Sequence, residues 1–200
     1  MKIFRIFTII GVIFLYFSAN AQLISADQLE QELVYTSISQ ALKNPEKVYR
    51  LDLSKQKLQT VPKEVFSLYN LQELILAKNK LHEIPQEIGN LTNLQKLNVS
   101  KNQLAVLPSA IGLLTNLEEL IANQNDIYKL PTEIGNLINL QFLDLWSNEI
   151  DVLPEEISKL KDTLKKLDLR VVLINEDKQI TIANLLPNTN IYFSKSCNCH

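Results

Sequence analysis

The sequence has 200 residues, which fit one domain, and its 46% apolar content is typical of a chain with a sizeable core rather than a disordered chain. The formal net charge of -2 is close to neutral, and the sequence contains no run of lysine or arginine residues. The composition therefore excludes nucleic acid and other polyanions as expected partners.

The first 21 residues have the features of a secretory signal peptide. Lys2 and Arg5 precede an apolar run from Ile6 to Phe17, and the small-residue sequence Ala19-Asn20-Ala21 follows. The apolar run is too short for a comfortable membrane span, and no later stretch is long and uncharged enough to be one. Sec-type export is therefore predicted, to the medium, the cell surface or the periplasm, with no transmembrane segment in the mature chain.

Residues 22–47 are interpreted as a linker followed by a helical cap. The segment begins with Gln22, so a lipid anchor on a cysteine is not expected. From Tyr35 onward, Ile38, Ala41 and Leu42 fall on one face of a predicted helix, which ends before Pro45 because proline disfavours the helical conformation of the preceding residue.

A 23-residue period dominates residues 48–174. Five prolines at this spacing mark it: Pro62, Pro85, Pro108, Pro131 and Pro154. Five full units begin at Val48, Leu71, Leu94, Leu117 and Leu140, the last unit being one residue longer, and a partial sixth begins at Leu164. A repeat of about 20 to 50 residues is the signature of a stacked array, so these units are predicted to form a solenoid.

Each unit contains one short strand and one return arm. Leu74 and Leu76 alternate with outward residues as in a β-strand, and one such strand cannot bury its apolar side alone. Stacking is therefore expected to give a parallel sheet on the concave side, while Ile88 and Leu91 pack a second apolar row on the convex side.

An amide side chain recurs just after each predicted strand. The positions are Gln56, Asn79, Asn102, Asn125 and Asn148. We expect these amides to point into the coil and to bond backbone groups of their own and adjacent turns, each bond contributing about 0.5–1.5 kcal/mol. This row of amide side chains, called here the ladder, is interpreted as structural rather than ligand-binding.

Residues 175–200 are predicted to form a C-terminal cap and a cysteine-containing tail. Asn175 precedes two acidic residues, as at a helix N-terminus. The helix is expected to run to Pro187, and Ile191 to Phe193 to form a final strand. Val172 replaces the ladder asparagine, which is interpreted as the chain leaving the repeat path there.

The pattern LxxLxLxxNxL from Val48 to Ile174 resembles the leucine-rich repeat. This implies an α/β solenoid, a leucine-rich repeat horseshoe with a concave parallel β-sheet, an N-terminal helical cap and a C-terminal helix-strand cap. The signal peptide, the stretch ALKNPEKVYRLDLSKQKLQTVP and the units of the form LPxEIGxLxNLQ are similar to a group of exported bacterial leucine-rich repeat proteins abundant in spirochaetes. That resemblance implies a secreted or surface-displayed protein that binds other proteins, often host ones.

No catalytic machinery is evident in the sequence. No serine lies in a nucleophile elbow, no glycine-rich loop follows a strand, and the convex carboxylates are spread one or two to a repeat. His82 stands at a position that varies from unit to unit and is expected to be exposed. Neither an enzyme nor a cofactor is therefore predicted.

Both cysteines lie in the last six residues. Cys197, Cys199 and His200 offer three ligands for zinc, but a structural zinc site needs four. His82 is four coils from the last strand, on the order of 20 Å away, so it cannot supply the fourth within one molecule. A Cys197–Cys199 disulfide closes a small strained ring, and pairing with another molecule is the other oxidised outcome. An exposed tail without metal is the favoured interpretation.

The concave face is the candidate binding surface. Most of its outward residues are polar, and the exceptions are Ile75, Ile121, Phe142 and Trp146. Trp146 is the only tryptophan, and aromatic residues ringed by charge are typical interface anchors, although single exposed apolar residues also occur on ordinary surfaces. These four residues, with the neighbouring Asp144 and Arg170, form the predicted partner-binding set.

Two functions are consistent with this sequence. The first is a protein-binding module whose partner is a protein, with host extracellular and cell-surface proteins among the candidates. The second is a structural or adhesion protein of the cell envelope that self-associates through the C-terminal tail. A monomer or a weak homodimer is expected in either case.

Overall fold

The structure is a computed structural model that describes residues 23–194. One sheet contains eight parallel strands in chain order. The strands are β1 Val34–Tyr35, β2 Arg50–Asp52, β3 Glu73–Ile75, β4 Lys96–Asn98, β5 Glu119–Ile121, β6 Phe142–Asp144, β7 Lys166–Leu169 and β8 Asn190–Phe193. The helices are α1 Ala26–Gln31, α2 Ile38–Ala41 and α3 Glu176–Leu185. The predicted solenoid with a parallel sheet is confirmed.

The strands of successive repeats match at equivalent positions. Leu74 of β3 pairs with Leu97 of β4, and Leu97 pairs with Leu120 of β5. These central leucines are fully buried, whereas the residue on each side of them is half-buried. The alternation of the sequence therefore becomes an inward apolar row and a mostly polar outward row, as expected for a sheet with one buried side.

Every repeat turns after its strand at a residue with a left-handed backbone. These residues are Lys55, Lys78, Lys101, Gln124, Ser147 and Val171. Val171 is β-branched, and such residues rarely adopt a positive φ, so the geometry of the stacked turn outweighs residue preference there. The bond from the Leu173 N–H to the Ile150 carbonyl repeats the bond made one turn earlier from Glu149 to Ile127.

The chain therefore follows the repeat path beyond Val172, and the prediction that it leaves the path there is wrong. The departure comes at Asn175, where α3 begins. Nothing in the structure explains why valine replaces asparagine at position 172.

The return arms, on the side called here the arm side, consist of short 3₁₀ turns. They are Lys63–Ser67, Gln86–Asn90, Ser109–Leu113, Thr132–Asn136 and Glu155–Leu160. Glycines let adjacent arms approach closely, because a Cβ atom on Gly112 would lie 2.7 Å from the Glu133 carbonyl oxygen and one on Gly135 would lie 2.3 Å from that of Glu156. The equivalent position of the first repeat holds Phe66.

The buried asparagines bond the backbone of two consecutive turns. In Asn102, Oδ1 accepts a hydrogen bond from the Leu81 N–H at 3.1 Å, and Nδ2 donates to the carbonyls of Leu76 and Val99 at 3.0 and 2.9 Å. Equivalent bonds are made by Asn79, Asn125 and Asn148. Gln56 is exposed, and its amide donates to the Thr36 carbonyl upstream of the repeats.

The segment before the repeats differs from the predicted single helix. Val34 and Tyr35 form β1 beside β2, and α2 is only one turn long, with Ala41 buried and Leu42 41% exposed. Aromatic and β-branched residues favour extended backbone, which explains why Tyr35 joins the sheet. The helix α1 was not predicted from the sequence.

The segment after the repeats coincides with the predicted elements. The Asn175 side chain accepts a hydrogen bond from the Lys178 N–H at 3.0 Å, which fixes the start of α3. The strand β8 then pairs with β7, with Ile191 beside Leu167 and Tyr192 beside Asp168.

Candidate protein-binding surface

The sheet face is defined here as the outward side of β2 to β8 and of the turns that follow these strands. The strand register aligns its residues in columns. Phe142, Lys166 and Asn190 form one column, and Asp144, Asp168 and Tyr192 form the next. Trp146 and Arg170 each follow two residues after a member of the second column. Four of the predicted residues, Phe142, Asp144, Trp146 and Arg170, therefore belong to two adjacent repeats.

An aromatic–lysine cluster, defined as Phe142, Lys166 and Tyr192, lies on β6 to β8. The Lys166 Nζ atom is 4.6 Å from the centroid of the Phe142 ring and 5.4 Å from that of Tyr192. Aromatic ring faces attract cations through their quadrupole, so the ammonium group is held by the rings. No carboxylate among residues 23–194 forms an ion pair with Lys166, and Tyr192 is 44% exposed. The cluster thus presents aromatic surface beside a positive charge that makes no direct ion pair in the described part of the chain.

Asp144 has a structural role at the end of β6. Its Oδ1 accepts a hydrogen bond from the Trp146 N–H at 3.0 Å, and its Oδ2 accepts one from the side-chain amide of Asn123. The same bond to the N–H two residues later is made by Asp52, Asn98 and Asp168. This recurring turn fixes the backbone of Trp146 and Arg170.

Arg170 is held in place by a buried carboxylate. Its Nη2 and Nε atoms donate to Asp168 at 2.6 and 2.9 Å, while its side chain stays 54% exposed. Burial alone raises the pKa of Asp168, but the hydrogen bonds from Arg170 and the positive charges of Arg170 and Lys166 offset this, so the pKa lies below its usual value. The hydrogen bond with Asp168, followed by its charge, raises the pKa of Arg170. The guanidinium is therefore held in one position and is also exposed to solvent.

The other end of the sheet face is bordered by the N-terminal segment, defined as residues 24–31. The Ile24 N–H donates to Gln72 Oε1 at 3.1 Å, and Gln95 Nε2 donates to the Ile24 carbonyl at 2.9 Å. Arg50 Nη1 donates to the Glu30 carbonyl at 3.0 Å. This segment therefore lies against residues at the start of β2 to β4.

The helix α1 positions that segment. Ser25 and Gln28 form a reciprocal capping box at its start, and Leu29 is 1% exposed. The Glu30 carboxylate is 3.9 Å from Lys96 Nζ. Sequence reasoning missed α1, although the Ser-x-x-Gln spacing before an apolar residue is a signal that could have found it.

The two predicted isoleucines lie apart from the aromatic–lysine cluster to different degrees. Ile75 and Ile121 are half-buried, stand on either side of Asn98, and line a depression of about 190 Å³. Ile121 pairs with Asp144 of the neighbouring strand β6, whereas the strands β4 and β5 lie between Ile75 and Asp144. Lys166 and Asp168 were predicted to face outward on this sheet but were left out of the partner-binding set. Tyr192 was missed as a member of the surface, although extending the outward columns into the predicted final strand would have found it.

A second concavity lies on the arm side between the first two repeats. This groove has a volume of about 460 Å³ and is lined by Val61, Phe66 and Pro85, with Glu83 and Glu87 among its polar residues. The inner repeats have glycine at the position of Phe66, where a side chain would clash with the next arm. The groove is therefore a consequence of the bulky residue in the first repeat.

Residues 23–194 contain no cluster of three or more His, Cys, Asp or Glu side chains able to hold a metal ion. Within the same range, no helix is long and apolar enough to cross a bilayer. Cys197, Cys199, His200 and the predicted signal peptide lie outside the described residues.

Comparison with known families identifies the repeat. Models described as leucine rich repeat match residues 46–104, 69–127 and 139–160, which together span just over half of the chain. The chain belongs to the leucine-rich repeat family. No curated protein sequence matches this leucine-rich repeat protein.

Solved structures support the same assignment. A leucine-rich repeat protein of Leptospira interrogans is 36% identical, with a TM-score of 0.67 over 81% of this chain and 48% of the other. Our chain thus spans about half of that protein's length, and the match supports a bacterial leucine-rich repeat protein. The ectodomain of the plant receptor kinase GASSHO1/SCHENGEN3 of Arabidopsis thaliana, in complex with CASPARIAN STRIP INTEGRITY FACTOR 2, is 29% identical, with a TM-score of 0.59 over 72% of this chain and 18% of the other.

Internalin C2 of Listeria monocytogenes has the same fold. It is 24% identical, with a TM-score of 0.63 over 76% of this chain and 64% of the other. At this identity the likeness concerns the architecture alone.

Proposed function

We propose that this leucine-rich repeat protein is exported and binds a partner protein through the C-terminal part of its sheet face. The observation that carries the proposal is the aromatic–lysine cluster beside Trp146 and the fixed Arg170. Aromatic residues and arginine are the side chains that most often dominate the binding energy of protein interfaces. The leucine-rich repeat fold is a typical protein-interaction module, and the Arabidopsis ectodomain was solved in complex with CASPARIAN STRIP INTEGRITY FACTOR 2.

The proposed compartment is outside the cytoplasm. Residues 1–21 have the charge and apolar pattern of a Sec-type signal, which directs a chain to the periplasm, the cell surface or the medium. A host extracellular or cell-surface protein is the proposed partner, in line with the resemblance to exported bacterial proteins of spirochaetes. The segments before and after residues 48–174 are proposed to cap the two ends of the repeat array.

The test uses the mature protein, residues 22–200, immobilised and screened against extracellular and envelope proteins. Trp146→Ala and Phe142→Ala remove two candidate anchors, and each is expected to weaken the best binder at least about tenfold. Tyr128→Ala is the matched control, because Tyr128 is an exposed aromatic residue outside the sheet face. Equal dissociation constants for the wild type and for a variant carrying both Trp146→Ala and Phe142→Ala contradict the proposal.

The second candidate is a structural or adhesion protein that self-associates through its C-terminal tail. It rests on the two cysteines, Cys197 and Cys199, in a chain proposed to reach an oxidising compartment. Under this function, Cys197→Ser with Cys199→Ser abolishes association, and the anchor variants leave it unchanged. The two functions are thus separated by which pair of substitutions has an effect.

A further inference from the structure

The strand β8 is the C-terminal edge of an open sheet. Sheet edges in soluble proteins are normally protected by charged side chains, proline or a covering element, because unpaired backbone groups recruit another strand. The sequence of β8, Asn190–Phe193, has neither a charged residue nor a proline. Within residues 23–194, only β7 pairs with β8.

The unpaired backbone groups of this edge can be identified. The Asn190 N–H donates to the Lys165 carbonyl at 2.9 Å, so Asn190 directs its backbone groups toward β7. Backbone groups alternate in direction along a strand, so Ile191 and Phe193 direct theirs outward. These two residues also face the core, since their neighbours Asn190 and Tyr192 belong to the sheet face.

The core beneath β8 is less well covered than the core beneath the preceding strand. Ile191 and Phe193 are only partly buried, whereas their β7 neighbours Leu167 and Leu169 are 0% and 1% exposed. The edge therefore offers apolar side chains and backbone hydrogen-bonding groups at the same positions.

We propose that β8 pairs in antiparallel fashion with β8 of a second copy of this chain. Antiparallel pairing places side chains of the same face opposite each other, so a two-fold register with Tyr192 opposite its own copy sets Ile191 opposite Phe193 of the partner copy. In this register both outward-directed residues of each copy form hydrogen bonds. If the two-fold axis passed through Ile191 instead, only Ile191 of the two outward-directed residues would form these hydrogen bonds.

The occupant is a second copy because the edge is self-complementary. Core-facing Ile191 of one copy covers core-facing Phe193 of the other, and no ionised side chain of β8 meets its own charge across the axis. Pairing joins the two sheets at their C-terminal edges and brings the two aromatic–lysine clusters next to the same axis. This inference goes beyond the proposed function and does not depend on it.

The first experiment locates the two-fold axis by cross-linking. Tyr192→Cys is introduced into mature protein that also carries Cys197→Ser and Cys199→Ser, so that the tail cannot form disulfides. Non-hydrogen-bonded antiparallel pairs have Cα atoms about 4.5 Å apart, within the range of a disulfide. Mild oxidation is expected to give a covalent dimer.

The control places the cysteine at a comparably exposed tyrosine elsewhere. Tyr128→Cys in the same background is expected to stay monomeric, because Tyr128 lies outside β8 and is 54% exposed. Absence of a Tyr192→Cys dimer, or equal dimer formation at both positions, overturns the proposal.

The second experiment measures the mass of the non-covalent assembly by light scattering over a wide range of protein concentration. The tail-serine background is expected to show a dimer fraction that rises with concentration and persists in reductant. Tyr192→Lys places like charges opposite each other and should lower the dimer fraction at least about tenfold, whereas Tyr192→Phe should retain it. Circular dichroism checks that both variants are folded. A monomer at every concentration, or equal dimer fractions in both variants, contradicts the proposal.

Discussion

The two ends of the sheet face differ in what their charged side chains contact. At β2 to β4, Arg50 is paired with Glu73 and bonds the Glu30 carbonyl of the N-terminal segment. At β6 to β8, Lys166 lies between aromatic rings without a carboxylate partner in the described chain. One repeat architecture thus uses the same outward column to contact the N-terminal segment at one end and to place an exposed lysine between aromatic rings at the other.

The difference arises from side chains and not from the backbone. The pairing offset and the left-handed turn recur at both ends of the sheet. What changes is the contact made by the glutamine before the strand: Gln72 and Gln95 bind the N-terminal segment, whereas Gln141 accepts a hydrogen bond from Lys165 within the repeats. A scaffold with a fixed core can therefore vary its surface from repeat to repeat.

Asn125→Ala should have the largest effect on stability. Asn125 lies between the two ends of the sheet face, accepts from the Leu104 N–H, and donates to the carbonyls of Val99 and Ala122. Removing the amide leaves the buried Leu104 N–H without its acceptor and takes one of two side-chain donors from each carbonyl, since Val99 and Ala122 also accept from Asn102 and Asn148. We expect this to cost about 3 kcal/mol of unfolding free energy. Urea unfolding followed by circular dichroism measures this cost.

The shape of that transition also tests how strongly the two ends are coupled. A single cooperative transition is expected for the Asn125→Ala variant, because the core is continuous beneath both ends. Two separated transitions would show that the ends are independent units. Gln56→Ala is the matched control and should change stability much less, since the Gln56 amide is exposed.

Gln72→Ala combined with Gln95→Ala should release the N-terminal segment. These glutamines are buried and hold both polar groups of the Ile24 backbone. We expect a loss of about 2 kcal/mol and faster hydrogen exchange in α1, because the segment loses two hydrogen bonds that are screened from water. Gln141→Ala removes the equivalent glutamine of a later repeat and should leave exchange in α1 unchanged. Unaltered exchange in the double variant would mean that Leu29 packing and the contacts of Glu30 with Arg50 and Lys96 hold the segment without the glutamines.

Periodicity made most of the fold predictable from the sequence. The prolines, the leucines and the amides recur at fixed spacing, and each position has the same structural role in every repeat. The sheet and its register could therefore be predicted from the spacing. Position 172 shows where local preference misleads: Val172 in place of the ladder asparagine suggested an early end of the repeat path, but stacking imposed the left-handed turn of the preceding repeats at Val171.

The surface was predictable only in part, since its contacts join residues without a shared period. Phe142 and Trp146 could be recognised as outward aromatics from their column alone. Of the two rings around Lys166, Phe142 comes from the fifth repeat, whereas Tyr192 belongs to the final strand, outside the repeat motif. The N-terminal segment was missed because its partners, Gln72 and Gln95, are distant in sequence.

Arg170→Ala should remove stability that the low pKa of the Asp168 carboxyl contributes to the folded protein. In the wild type the pKa of Asp168 is depressed, so its contribution is present above the unfolded value of 3.8 and is lost as the pH falls through the folded value. Without the Arg170 guanidinium, burial raises the pKa of Asp168 against only the backbone N–H of residue 170 and the charge of Lys166, so this pKa should be higher than in the wild type. The variant should therefore be less stable at neutral pH and unfold at a higher pH on acidification.

Urea unfolding at a series of pH values between neutral and acid tests this sign. The stability difference between wild type and variant should narrow as Asp168 becomes protonated in both. Asp168→Asn is the control, because it removes the titrating group while keeping an acceptor for the Arg170 N–H at the end of β7. A difference that stays constant with pH would assign the effect to packing of the Arg170 stem instead.

Lys166→Met should have the smallest effect on stability and gives the sharpest test of the difference between the two ends. Methionine keeps an apolar stem of similar length between the rings of Phe142 and Tyr192 and removes only the charge, so the expected loss is about 0.5–1 kcal/mol. Arg50→Met, in the same outward column, removes a charge that already has Glu73 and the Glu30 carbonyl as internal partners. Thermal unfolding should therefore show the larger loss for Arg50→Met, while partner binding should be weakened by Lys166→Met. Equal losses of stability would mean that Lys166 serves the fold as Arg50 does, and the division of the sheet face into a structural end and a binding end would not hold.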